Sequence, residues 1–174
     1  MEKKIEAAGT GRRVILKNLP TDATLTDVFC LIFNGQIENV SLNGRDATVD
    51  FVDTASADAY FNKVCNGIRV GEHLITVERV TSPKITAHVV NCIKSRTTRV
   101  VHAIVPLNMT MKELYDAAAE FHVEHIEYHI EPNKNRRAYF FLCGLSDGYN
   151  MMRKLILAPE WNQGECSPNF LADP

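Results

Sequence analysis

The apolar positions of this chain switch repeatedly between two periods, and the switches divide it into short elements. The run 14-VILKNL-19, closed by Pro20, reads as a strand. Thr24 then precedes Leu25, Val28, Leu31 and Ile32 at helical spacing. Asp27, three residues after Thr24, completes a capping-box pattern, and Gly35 stops the helix. In 37-IENVSLNG-44, Val40 and Leu42 alternate with polar residues as in a half-buried strand, and Asn43-Gly44 is a tight hairpin turn. It leads into 46-DATVDFV-52, where Ala47, Val49 and Phe51 share one face. A second helix is predicted from about Ala55 to Cys65, ended by Asn66-Gly67, and a last strand from Leu74 to Val80. The order strand, helix, strand, strand, helix, strand implies a four-stranded antiparallel sheet with both helices on one face and the other face open.

The pattern occurs twice. In 19-LPTDATLTDV-28 and 105-VPLNMTMKEL-114, Pro20 matches Pro106, Thr24 matches Thr110, Asp27 matches Glu113 and Val28 matches Leu114. A second copy therefore begins near Arg99. It has a strand at 99-RVVHAIV-105, a helix from Met111 to about Phe121, strands at 125-HIEYHI-130 and 138-AYFFLC-143, and a helix to about Leu157 that Ser146 can cap. The tail 163-QGECSPNFLADP-174 holds a last strand, at an edge that tolerates Pro168. The fold class is α+β: two ferredoxin-like βαββαβ sandwiches in tandem. Its divisions are an N-terminal arm (1–11), a first domain (12–80), a linker (81–98) and a divergent second domain (99–174). The linker is basic, and 85-ITAHVVNCI-93 alternates like a strand, which would either extend a sheet edge or pack against a domain.

Composition adjusts this picture only slightly. A chain of 174 residues, 45% hydrophobic and 23% charged, can fill two small cores. The net charge of −2 means that contact with nucleic acid has to be local. Five cysteines, none spaced C-x-x-C, argue against a disulfide framework or a zinc ribbon. They favour a reducing intracellular compartment, nuclear or cytoplasmic, with the nucleus preferred. Cys30 and Cys65 fall in apolar helical patterns and are expected to be buried. The opening MEKKIEAAGTGRR lacks the apolar stretch of a secretory signal, and no apolar run is long enough to span a membrane.

The two copies resemble RNA recognition motifs (RRMs). The stretch 14-VILKNLP-20 is similar to the family's first-strand hexamer and trailing proline. The stretch 57-ADAYFNKVCNGIRVGEHLITV-77 is similar to its second helix and last strand, and 136-RRAYFFL-142 to its central octamer. The resemblance implies single-stranded RNA lying across the open sheet face, with bases stacked on rings of the first and third strands. Position by position, the hexamer ring falls on Ile15 and Val101. The octamer rings fall on Asp46 and Thr48 in the first copy, and on Arg137 and Tyr139 in the second. Alternation sets Phe141 beside Tyr139.

Two functional readings follow. In the first, the chain is an RNA-binding module of RNA processing or regulation. Tyr139 and Phe141 stack on bases, Arg137 stacks or holds phosphate, and Arg136, Lys134, Lys17 and the linker's Lys84, Lys94 and Arg96 neutralise the backbone. In the second, it is a protein-interaction module, with Ile15, Asp46, Thr48 and Asp50 of the first copy as the contact surface. His102, His122, His125 and His129 invite a metal site. However, His125 and His129 lie on a strand, where four residues span about 13 Å, and no further ligand completes a set. Asp46, Asp50 and Glu78 lack any nucleophile or phosphate-binding loop, so neither catalysis, a cofactor nor a small-molecule substrate is expected.

Overall fold

The computed structural model describes residues 11–161 and 168–172. The N-terminal arm, except Gly11, and Cys166 lie outside them. The chain forms two compact units that divide between Lys84 and Ile85.

In the first unit, β1 (Arg13–Lys17) is central. It pairs antiparallel with β3 (Asp46–Phe51) on one side and β5 (His73–Val80) on the other. β2 (Ile37–Asn43) pairs with β3, and a short β4 (Ile68–Val70) folds back on β5, giving the order β2-β3-β1-β5-β4. The sheet thus has a fifth strand beyond the four expected. It arises because 68-IRVGEH-73 turns through Gly71, whose positive φ of 58° suits a glycine. Helices α1 (Leu25–Cys30) and α2 (Thr54–Val64) cover one face. Thr24 and Asp27 close a reciprocal capping box at the start of α1. Val14, Leu16, Val49, Phe51 and Tyr60 form the centre of the core. The Tyr60 hydroxyl donates to the Leu31 carbonyl at 3.1 Å, and burial pushes its pKa up to about 12. Cys30 and Cys65 are exposed, contrary to expectation, because each occupies the solvent side of its helix end.

The second unit begins with a helix. The strand-like alternation of residues 85–93 does not make a strand. Instead Thr86 caps α3 (Ala87–Lys94), and Val89, Cys92 and Ile93 follow the i, i+3, i+4 spacing of a helical stripe. After it come β6 (Val100–Ile104), α4 (Met111–Ala118), β7 (Val123–Ile130), β8 (Arg136–Leu142) and α5 (Leu145–Leu157). A 3-10 turn (Pro159–Trp161) and β9 (Asn169–Leu171) complete it. The sheet order is β7-β8-β6-β9, with Pro168 just ahead of the edge strand. Thr110 and Glu113 repeat the capping box. The α5 cap falls on Gly144 rather than Ser146, without a side-chain hydrogen bond. α3 packs on α5, where Gly148 approaches the Thr98 carbonyl so closely that a Cβ would not fit.

One ion pair recurs. Arg12, just before β1, donates to Glu38 and, at 2.7 Å, to the Phe51 carbonyl. Arg99, just before β6, lies 3.9 Å from Glu124 and donates at 3.0 Å to the Leu142 carbonyl. Glu38 and Glu124 each occupy a bulge where the second strand of the unit shifts register. Burying such a pair is tolerable because each arginine also satisfies a strand-end carbonyl.

Candidate nucleic-acid interface

Side-chain alternation on each sheet sends every second residue away from the helices. In the second unit the open face is ordered in rows by the strand register. Glu127, Tyr139, His102 and Asn169 form one row. His125, Phe141, Val100 and Leu171 form the next, and His129, Arg137 and Ile104 the third. Three imidazoles therefore surround the two aromatic rings. His125 stacks on Phe141 with centroids 4.1 Å apart and planes 12° apart. His102 lies parallel to Tyr139 at 5.7 Å, and His129 meets Tyr139 edge-on at 5.4 Å. Both Tyr139 and Phe141 are half-buried by these neighbours.

The polar groups are tied into the same face. Arg137 donates to Glu131 at 2.6 Å and to Nδ1 of His102 at 2.7 Å. A guanidinium can only donate, so that nitrogen of His102 accepts and the ring is neutral. Burial, reinforced by the charge of Arg137, holds the His102 pKa below the ordinary value, against a smaller opposing pull from Glu131. Glu127 sits between His129, whose Nε2 is 3.1 Å from one carboxylate oxygen, and His125, whose Nε2 is 3.5 Å from the other. The His129 hydrogen bond is the main reason that its pKa lies below the usual carboxylate value. His125 Nδ1 is 3.2 Å from Glu124 but off line for a hydrogen bond, so that contact is electrostatic. Among the described residues no three His, Cys, Asp or Glu side chains converge on a possible metal position.

The first unit has the same grid with different occupants. Arg13 grips Asp50 through two hydrogen bonds of 2.7 and 2.8 Å, and Lys17 pairs with Glu78 at 2.7 Å. Ile15 and Thr48 face each other at the centre, and Asp46 is exposed opposite Asn43. Among the described residues no ring lies on this face.

Two candidates are corrected. Val101 is fully buried in the core opposite Phe140, and the open-face position belongs to His102. The matching prolines misplace it because the first unit has one extra residue. Leu19 N–H donates to the Arg45 carbonyl as Val105 N–H does to that of Arg136. Between strand and anchor the first unit inserts Asn18, at φ 65°. Arg136 shares the parity of Ala138 and Phe140 and so points to the helical side. There it donates to the carbonyls of Pro106, Leu107 and Met109. Of the remaining cations, Lys134 is exposed in the β7–β8 turn at φ 67°. Lys94 and Arg96 are exposed at the end of α3, beside α5 and not on the ring face, and Lys84 is exposed at the end of the first unit. His102, His125, His129 and Glu127 enter the site through the structure. Their alternation with the core residues Ile126 and Tyr128 was the available signal.

Several solved structures are similar to this chain. The strand orders β2-β3-β1-β5 and β7-β8-β6-β9, each with helices on one face, are those of the RRM. The chain is a tandem pair of RRM-type folds. It is similar to the Sxl-lethal protein/RNA complex, at 16% identity over 91% of this chain and 98% of that one, with a TM-score of 0.37. It is also similar to the first two RRM domains of yeast poly(U) binding protein, at 14% identity over 93% of this chain and 100% of that one, TM-score 0.36. Against the N-terminal RNA binding domains of the yeast splicing factor Prp24 the identity is 16% over 95% and 68% of the two chains, TM-score 0.37. No family model matches the sequence. No curated protein matches it either.

Proposed function

We propose that the protein binds short single-stranded RNA on the open sheet face of its second unit. The observation that carries this reading is the five-ring surface of His102, His125, His129, Tyr139 and Phe141, assembled on the side of the sheet away from the core. Aromatic and imidazole rings accept any base by stacking, at about 1–3 kcal/mol per base. Arg137 is held by Glu131 and His102, so it orients the rings and adds one positive charge, while Lys134 supplies another from the turn. With so few cations, phosphate neutralisation is a minor part of the affinity. RNA processing or regulation in the nucleus is the setting that this reading suits.

The first unit supports a different use. Its charges neutralise one another across strands, which leaves Ile15, Thr48 and Asp46 as a small mixed surface without stacking groups. A protein contact suits it better than a polyanion does. The test for both readings is a titration of the full chain with mixed-sequence short RNAs at two salt concentrations, followed by amide chemical shifts. Shifts clustered on β6, β7 and β8 with a shallow salt slope are expected. Shifts clustered around Ile15, or no binding at low salt, would overturn the assignment of RNA to the second unit.

A further inference from the structure

We infer that Glu127 makes the second unit's face selective for guanine, an inference that rests on the RNA-binding reading above. Glu127 is the direct cross-strand partner of Tyr139, so a base stacked on that ring has the carboxylate along one edge. The ring neighbours of Tyr139 are His102 in parallel and His129 edge-on. Glu127 is therefore the polar group best placed on β7 to meet a base edge, and its side chain is 47% exposed and so accessible.

The carboxylate is held ready. His129 and His125 each approach a different oxygen, which holds the carboxylate from two sides, and each oxygen has a further lone pair with which to accept a donor. An ionised carboxylate accepts hydrogen bonds only, and its two oxygens match two parallel donors. Guanine presents such a pair on its pairing edge, the ring N1–H beside the N2 amine. Uracil has a single ring N–H between two carbonyls, which the carboxylate repels. Cytosine and adenine each set one amine beside an acceptor ring nitrogen. The negative charge that weakens attraction to phosphate thus becomes a filter on the base.

The experiment uses the full chain and labelled short oligouridines carrying one central guanosine, inosine, adenosine, cytidine or uridine, measured by fluorescence anisotropy. Guanosine should bind roughly tenfold tighter than adenosine, cytidine or uridine, toward the low end of a bidentate base contact. Inosine keeps N1–H and lacks the amine, so it should fall between. Glu127→Gln should collapse this ranking while the uridine oligomer binds as well as before or better, because a negative charge is gone. Tyr139→Ala, in contrast, should weaken every oligomer. Affinity independent of the central base, or a ranking that survives Glu127→Gln, would overturn guanine selection and leave RNA binding standing. Failure of every oligomer to bind at low salt would overturn both.

Discussion

Asp46, Thr48 and Asp50 occupy in the first unit the positions that Arg137, Tyr139 and Phe141 occupy in the second. Ile15 corresponds to His102, and Asn39, Ser41 and Asn43 to His125, Glu127 and His129. On the helical side the two units agree: Ala47 with Ala138, Val49 with Phe140, Phe51 with Leu142 and the arginine–glutamate pair at the same bulge. The core parity and the buried ion pair are what the fold requires, so they repeat. The open face carries no such requirement. One copy fills it with ion pairs that satisfy each other, and the other fills it with rings that have faces to offer.

The largest effect should come from breaking what the units share. Arg99→Met leaves Glu124 buried without its cation and a strand-end carbonyl without its donor, and should cost about 3 kcal/mol or more. Arg12→Met should cost the first unit a similar amount. Amide exchange in the full chain under urea would show whether each loss stays within its own unit; a loss spread equally over both would break the comparison. Next comes what they do not share. Tyr139→Ala should weaken RNA binding by about 2 kcal/mol, while Thr48→Ala at the matching position should leave it unchanged in the same titration. Equal effects would remove the distinction between the faces.

A smaller cost, about 1.5 kcal/mol of stability, is expected for Asp50→Asn, which gives up the charged two-point grip of Arg13. Urea denaturation monitored in the first unit would measure it. The smallest effect concerns pH. His102 is held below the ordinary imidazole pKa of 6.5, chiefly by burial and then by Arg137. The unfolded chain therefore takes up a proton that the folded unit refuses. This part of the stability is complete above the unfolded pKa and is lost as pH falls from there toward the folded pKa. His102→Ile, which copies the first unit's residue, should flatten that slope in pH-dependent urea curves of the second unit.

Much of this was legible in the sequence. The two capping boxes, at Thr24 and Thr110, placed the first helix of each unit, because a side chain that satisfies orphan N–H groups leaves a local signature. Alternation in 138-AYFFL-142 placed Tyr139 and Phe141 together away from the core. Three features were hidden, for different reasons. Asn18 shifted the count between strand and proline, which sent Val101 to a surface where it does not lie. The segment 87-AHVVNCIK-94 fits both alternation and a helical stripe, and packing on α5 decided for the helix. The histidines, read along the sequence, suggest metal ligands and nothing more. That they flank rings depends on cross-strand register, which no single strand encodes.

The bulged glutamates also set the phase of the strands that follow them. In 37-IENV-40 and 123-VEHI-126 the two apolar residues face the core although they are three apart, an odd spacing that a regular strand would split between opposite faces. Glu124 thus acts as a spacer. Deleting that one residue would set Val123 and Ile126 two apart and keep both on the core side of a regular strand, while removing the carboxylate that meets Arg99; flattening the bulge with Glu124 still in place would instead turn Ile126 and Tyr128 outward and drive His125, Glu127 and His129 toward the core. The composition of the ring face therefore depends on the bulge that absorbs Glu124 as much as on the side chains that line it.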